Sequence, residues 1–228
     1  MRETGPEMAR PRTGVRRNYA IDELKLLCAV LVVLIHTSGL YARVDNPLYD
    51  FINPMLRCAV PCFFMVSGYL LFNGHEIGAP RLRRNLMNVL GITAWTSVLF
   101  VVVREAAAWS QGGLVFPTWS DCLCFLLGNF TPFGYHLWYL YAYIYVLLIV
   151  WAVERYGRWQ WLFAAAPLLL AGNLLWGEWG DVLFGIKCEK YVLRNFLFTG
   201  LPFFSLGAWL KTQESRWRVV NRRWFAGG

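Results

Sequence analysis

The stretch Leu24-Lys-Leu-Leu-Cys-Ala-Val-Leu-Val-Val-Leu-Ile-His-Thr-Ser-Gly-Leu-Tyr41 decides the fold. Apart from Cys28 and the terminal tyrosine, Lys25 and His36 are its only ionisable groups. A run of about 18 to 20 such residues is long enough to cross a hydrocarbon core of roughly 30 Å as a helix. It is too long for the apolar part of a secretory leader, and no small-x-small cleavage site follows it, so it reads as a retained first helix.

Similar runs recur along the chain. The spacing predicts helices over about Ile21 to Tyr41, Ile52 to Phe72, Leu86 to Val103, Leu137 to Val153, Trp159 to Trp176 and Val192 to Leu210. Pro61 inside the second is tolerable in a membrane bundle, where neighbours re-satisfy the freed carbonyl. Asp121 to Phe130 is too short to span and reads as interfacial or re-entrant. The expected fold is therefore all-α: a polytopic transmembrane bundle of about six spanning helices plus one short segment. Residues 1–18, rich in arginine, read as a disordered tail, 19–212 as the membrane domain and 213–228 as a second basic tail.

Composition agrees. The chain is 57% hydrophobic and 16% charged, against roughly 25% charged in a soluble domain. Its formal charge of +8 would fit a nucleic-acid partner, but the arginines sit in short clusters between apolar runs, where topology needs them. Of 22 Lys and Arg residues, 15 fall in the amino terminus, the 73–85 loop, the 154–158 turn and the tail. That bias predicts both termini in the cytoplasm of a plasma-membrane protein, with no nucleic acid as partner. The six cysteines form no CxxC pair and no metal spacing with the histidines, so neither a zinc site nor a disulfide framework is expected. A bridge among Cys122, Cys124 and Cys188 stays open.

Ionisable groups within a bilayer are costly, and each is a functional candidate. Lys25 and His36 are eleven residues apart, which on an α-helix returns to within about 20° of one direction and rises about 16 Å. Asp22 shares nearly the same face. The stripe has a cation near one end and, deeper, an imidazole able to take a proton from an attacking hydroxyl. The same residues also suit a His36 that only hydrogen-bonds across helices and a Lys25 that snorkels to the interface. Ser67 and Gly68 suit close helix packing. His136 and Trp138 open an aromatic-rich helix that suits an interfacial belt.

The run Tyr19-Ala-Ile-Asp-Glu-Leu-Lys-Leu-Leu-Cys-Ala-Val-Leu-Val-Val-Leu-Ile-His36 resembles the opening helix of the acyltransferase family 3 membrane proteins, in which a basic residue, ten others and a histidine follow one another. Val60-Pro-Cys-Phe-Phe-Met-Val-Ser-Gly-Tyr-Leu70 is similar to that family's second segment. Arg81-Leu-Arg-Arg84 stands where the family carries cytoplasmic arginines. His136-Leu-Trp-Tyr-Leu140 and Leu201-Pro-Phe-Phe-Ser-Leu-Gly207 resemble looser later segments. The resemblance implies transfer of an acyl group, often acetyl from acetyl-CoA, to a hydroxyl of a cell-envelope glycan or small metabolite. His36 would be the catalytic base or transient acyl carrier. Lys25, Arg81, Arg83 and Arg84 would bind the donor's phosphates, and Asp22, Ser67, His136 and Trp138 would serve the substrate. No metal is implied. Lys25 replaces the family's usual arginine and lacks its bidentate fork. Family members usually have about ten helices, so six imply a truncated member or a short variant needing a partner. Two other classes remain: a small-solute uptake domain like those fused to membrane racemases, and an inactive scaffold.

Overall fold

The computed structural model describes residues 18–37, 47–110, 113, 118–128, 137–177, 179–185 and 193–226. Among them every regular element is helical, as expected. Helix α1 covers Tyr19–Thr37, α2 Pro47–Arg57, α3 Ala59–Leu71, α4 Ala79–Ser110, α5 Trp119–Gly128, α6 Trp138–Tyr156, α7 Trp159–Gly177 and α8 Gly180–Phe184. A π-helical turn, Phe196–Gly200, then leads into α9, Leu201–Ala226.

Four stretches among the described residues, not six, are long and apolar enough to cross a membrane: Phe51–Leu71, Ala79–Ser110, Trp138–Tyr156 and Trp159–Gly177. The first expected span, Ile21 to Tyr41, is described only as far as Thr37, and that part of α1 also holds Asp22, Glu23 and Lys25. The last falls short because the π turn interrupts it and Lys211 follows soon after. Whole faces of these helices are apolar and open: Trp95 and Leu168 are each 73% exposed. Water would not tolerate such faces over entire helices, whereas lipid does. The chain is a membrane protein.

Other boundaries also moved. The second expected helix is broken at Cys58, and Pro61 supplies the reason. Its ring leaves no N–H for the carbonyl four residues back, that of Arg57, and clashes with it. Pro61 instead takes a place in the first turn of α3, where the missing N–H costs nothing. The third helix has 32 residues, well beyond Leu86 to Val103. The polar tail after Leu210 continues α9 to Ala226 rather than leaving it. The segment 1–17 and His136 lie outside the described residues, as does Cys188; Cys122 is a free thiol.

The core lies between α3, α4, α6 and α9, where Phe64, Leu82, Val146, Leu147, Val150 and Phe204 are fully buried. The α3–α9 seam is the tightest. A Cβ on Gly68 would lie 2.0 Å from the Phe204 carbonyl oxygen, and one on Gly207 would lie 1.9 Å from that of Met65. Two glycines, one on each helix, thus let backbones touch, which is how helices associate where lipid removes the hydrophobic drive. The Ser67-Gly68 and Phe204-Ser-Leu-Gly207 segments, read separately along the chain, are two halves of one contact.

One end of the bundle gathers the basic loops. Glu154 accepts from the Ile77 backbone N–H at 3.1 Å and from Trp159 Nε1 at 2.7 Å. Phe72 packs on Trp159 with ring centroids 4.5 Å apart. Gly157, at φ 62°, closes the turn between α6 and α7. Lys211 on α9 stands 4.7 Å over the Tyr69 ring. The start of α1, the 72–79 loop, the α6–α7 turn and the middle of α9 therefore share an end.

Candidate functional site

The opposite end holds a cavity of about 740 Å³, open on one side. Ligand sites of small molecules run to about 300–1,000 Å³. His36, in the last turn of α1, stands on its rim with its side chain exposed. Asn53, Arg57, Trp138, Asn173, Arg194 and Thr199 supply the other polar groups of the wall. Val32, Ile35, Leu170 and Phe203 supply much of the apolar remainder.

Local chemistry explains why these side chains meet. The break before Pro61 ends α2 on Arg57, whose Nε donates to Asn53 Oδ1 at 3.2 Å, one turn back. On the other wall, Asn195 begins the π turn in extended backbone, and its Oδ1 accepts from Leu197 N and Phe198 N at 2.9 Å each. Asn173 Nδ2 donates to the Leu193 and Phe198 carbonyls at 3.3 and 3.0 Å, and Thr199 Oγ1 donates to Leu193 at 2.8 Å. Backbone on both sides of Arg194 is pinned. The described buried polar side chains all have partners, as an interior requires.

The residues singled out in the sequence divide into three groups. His36 and Trp138 reach the cavity. Asp22 and Lys25 do not; they form an i,i+3 pair at 3.7 Å near the other end of α1. Arg81 donates to the Leu70 carbonyl at 2.5 Å at the close of α3, while Arg83 and Arg84 are exposed beside it at the basic end. Ser67 hydrogen-bonds with Tyr139 and Tyr143 inside the bundle, and Tyr143 donates to Asn85 Oδ1 at 3.1 Å. That ladder joins α3, α4 and α6 and is not part of the cavity wall. Among the described residues no cluster of His, Cys, Asp and Glu is arranged to hold a metal ion.

Sequence reasoning passed over Asn53, Arg57, Asn173, Arg194 and Thr199. A signal existed for Arg57, a full charge in the middle of an apolar run. For Arg194 there was none, since a cation beside a loop reads as topology.

An acyltransferase-domain family model matches residues 18–228, nearly the whole chain. The chain belongs to acyltransferase family 3. It is also 26% identical over 211 residues to an amino-acid racemase of Enterococcus faecalis, covering 88% of this chain and 29% of that protein. Against a serine/alanine racemase of Enterococcus gallinarum it is 27% identical over 219 residues, covering 88% and 30%. The chain therefore spans under a third of the length of these curated relatives. No solved structure matches it. As a family 3 protein it carries the basic residue, ten-residue interval and histidine on α1, with the histidine alone at the cavity.

Proposed function

We propose that this protein transfers an acyl group, acetyl in the simplest case, from acyl-CoA to a hydroxyl of a cell-envelope glycan or another small acceptor. The observation that carries the reading is His36 on the rim of a cavity of about 740 Å³. In the reaction His36 takes the proton of the acceptor hydroxyl while its oxygen attacks the thioester carbonyl. The carbon–sulfur bond breaks, and the CoA thiolate leaves with that proton. Alternatively the imidazole nitrogen carries the acyl group briefly between sulfur and oxygen. Family membership supports acyl transfer in general; the donor and acceptor are our reading.

The basic end suits the donor's phosphates through Lys25, Arg81, Arg83 and Arg84, with Asp22 holding Lys25 in place. By the positive-inside bias that end faces the cytoplasm of the plasma membrane, where acyl-CoA is made. The thioester would then reach inward along α1, a rise of about 16 Å from Lys25 to His36. Incubating the purified protein with labelled acetyl-CoA tests this. Turnover or self-acylation, lost in His36→Ala, is the expected result; turnover indifferent to that change would remove His36 from the chemistry.

A second reading, uptake of a small solute such as an amino acid, is favoured by one finding: the relatives are named racemases, and this chain aligns with under a third of each. Solute flux into liposomes without any need for CoA would establish it instead. Absence of both activities would leave an inactive scaffold.

A further inference from the structure

The hairpin of α6 and α7 has an inner and an outer side. On the inner side Glu154 accepts from the Ile77 N–H and from Trp159 Nε1, and Trp159 packs on Phe72. On the outer side lies a groove of about 290 Å³. Its apolar lining includes Ala152 from α6 and Leu162 and Ala165 from α7. Neither alanine has a side chain long enough to fill the space between the helices. Nearer the turn the groove is lined by Tyr156 and Trp161, which are 72% and 63% exposed. Arg158, exposed in the turn itself, completes it. The backbone of Arg158 is fixed: its N–H donates to the Val153 carbonyl at 3.2 Å, and its carbonyl accepts from the Trp161 N–H at 3.0 Å. Among the described residues its side chain has no ion pair. The one carboxylate of the hairpin, Glu154, is engaged on the inner side. Along the helix axis the groove thus passes from apolar floor to amphipathic rings to a guanidinium. The acyl chain, ester region and phosphate of a phospholipid follow one another in that order. A guanidinium fork suits phosphate oxygens, and basic pockets between membrane helices on the positive side hold lipid headgroups. A charge that served topology alone would need no groove beneath it.

We propose that this groove binds an anionic phospholipid from the leaflet at the basic end, with the phosphate on Arg158 and one acyl chain between α6 and α7. Tyr156 and Trp161 flank the ester region, where such rings settle. A choline headgroup brings its own cation beside Arg158 and so loses what its phosphate gains; a headgroup with net negative charge does not. The groove stands at the other end of the bundle from the His36 cavity and does not depend on what that cavity does.

The test is native mass spectrometry of the full chain released from detergent, titrated in turn with dioleoyl phosphatidylglycerol, dioleoyl phosphatidylcholine and glycerol phosphate. Phosphatidylglycerol is expected to bind at least tenfold more tightly than phosphatidylcholine, a difference of about 1.4 kcal/mol. Arg158→Gln should weaken phosphatidylglycerol to the level of phosphatidylcholine. Arg155→Gln, an equal loss of charge on an exposed residue outside the groove, should leave the preference in place. Ala165→Phe, which fills the groove, should weaken both lipids. Glycerol phosphate, which has the headgroup charge without the chains, should bind at least tenfold more weakly than phosphatidylglycerol. Equal binding of the two lipids by the unaltered protein would overturn the proposal. So would an equal loss in Arg155→Gln and Arg158→Gln, which would mean a diffuse attraction to the basic end. Glycerol phosphate held as tightly as the lipid would replace lipid docking with a free-phosphate site. Should Ala165→Phe fail to fold, the two arginine variants, both at exposed positions, still decide.

Discussion

At the basic end, Arg81 donates to the Leu70 carbonyl and Glu154 ties the 72–79 loop to the α6–α7 turn. At the opposite end, Arg57 and Arg194 are held by neighbours yet line a cavity. The same residue type does different work at the two ends. Where a guanidinium closes a helix on the outside of a packed bundle it contributes to architecture and to orientation in the bilayer. Where it lines the half-open cavity it belongs to the same wall as His36. Between the two ends runs the α3–α9 seam, whose glycines hold the distance that keeps both in place.

The comparison breaks most completely if the seam is opened. Gly68→Val or Gly207→Val would drive a side chain into a backbone carbonyl, which no rotamer relieves. We expect a loss of about 3 kcal/mol or more, seen as loss of a monodisperse species on size exclusion in detergent. Retention of a wild-type melting temperature would show that the helices are not so close. Next in size, His36→Ala should lower acetyl-CoA turnover by about 100-fold or more, with thermal stability unchanged because the side chain is exposed. This separates chemistry at the cavity end from packing along the seam.

A smaller effect concerns how the cavity wall is built. Asn195→Ala removes two bonds to backbone N–H groups and should cost about 1–2 kcal/mol, with faster backbone hydrogen exchange over 193–200 than over α3. Equal exchange in both would deny the π turn its dependence on Asn195. The smallest effect lies outside the membrane helices. Asp121 accepts from the Thr118 hydroxyl and backbone N–H at 2.7 and 2.8 Å. These bonds, the hydroxyl first, hold its carboxyl below the usual carboxylate range. Its support of α5 is therefore fully present above the ordinary Asp value and fades as pH falls through the lowered one. Helicity of α5 should drop in the native chain only as pH falls below the ordinary Asp value, and should not follow that titration in Asp121→Asn, read by exchange over 119–128.

Much of this was legible along the chain. Lys25, His36 and their common helix needed only the 3.6-residue period, because apolar runs of that length form helices in lipid whatever their neighbours. The Gly68 and Gly207 segments were visible as motifs, but not as partners. Pro61 was visible too, yet whether a proline is absorbed or breaks a helix depends on what satisfies the freed carbonyl. Here the helix breaks at Cys58, and Arg57 turns to the cavity. Arg57 and Arg194 were not legible as cavity residues, since the meeting of α1, the α2–α3 break, α7 and the π turn is not encoded in any one segment.

By itself the sequence determined the helical membrane character, the acyltransferase motif on α1 and the basic end, all set by local composition and period. Only the tertiary structure decided which cations share a cavity with His36. That choice depends on how helices distant in the chain pack, and packing is fixed by close contacts such as Gly68 against Phe204 rather than by local pattern.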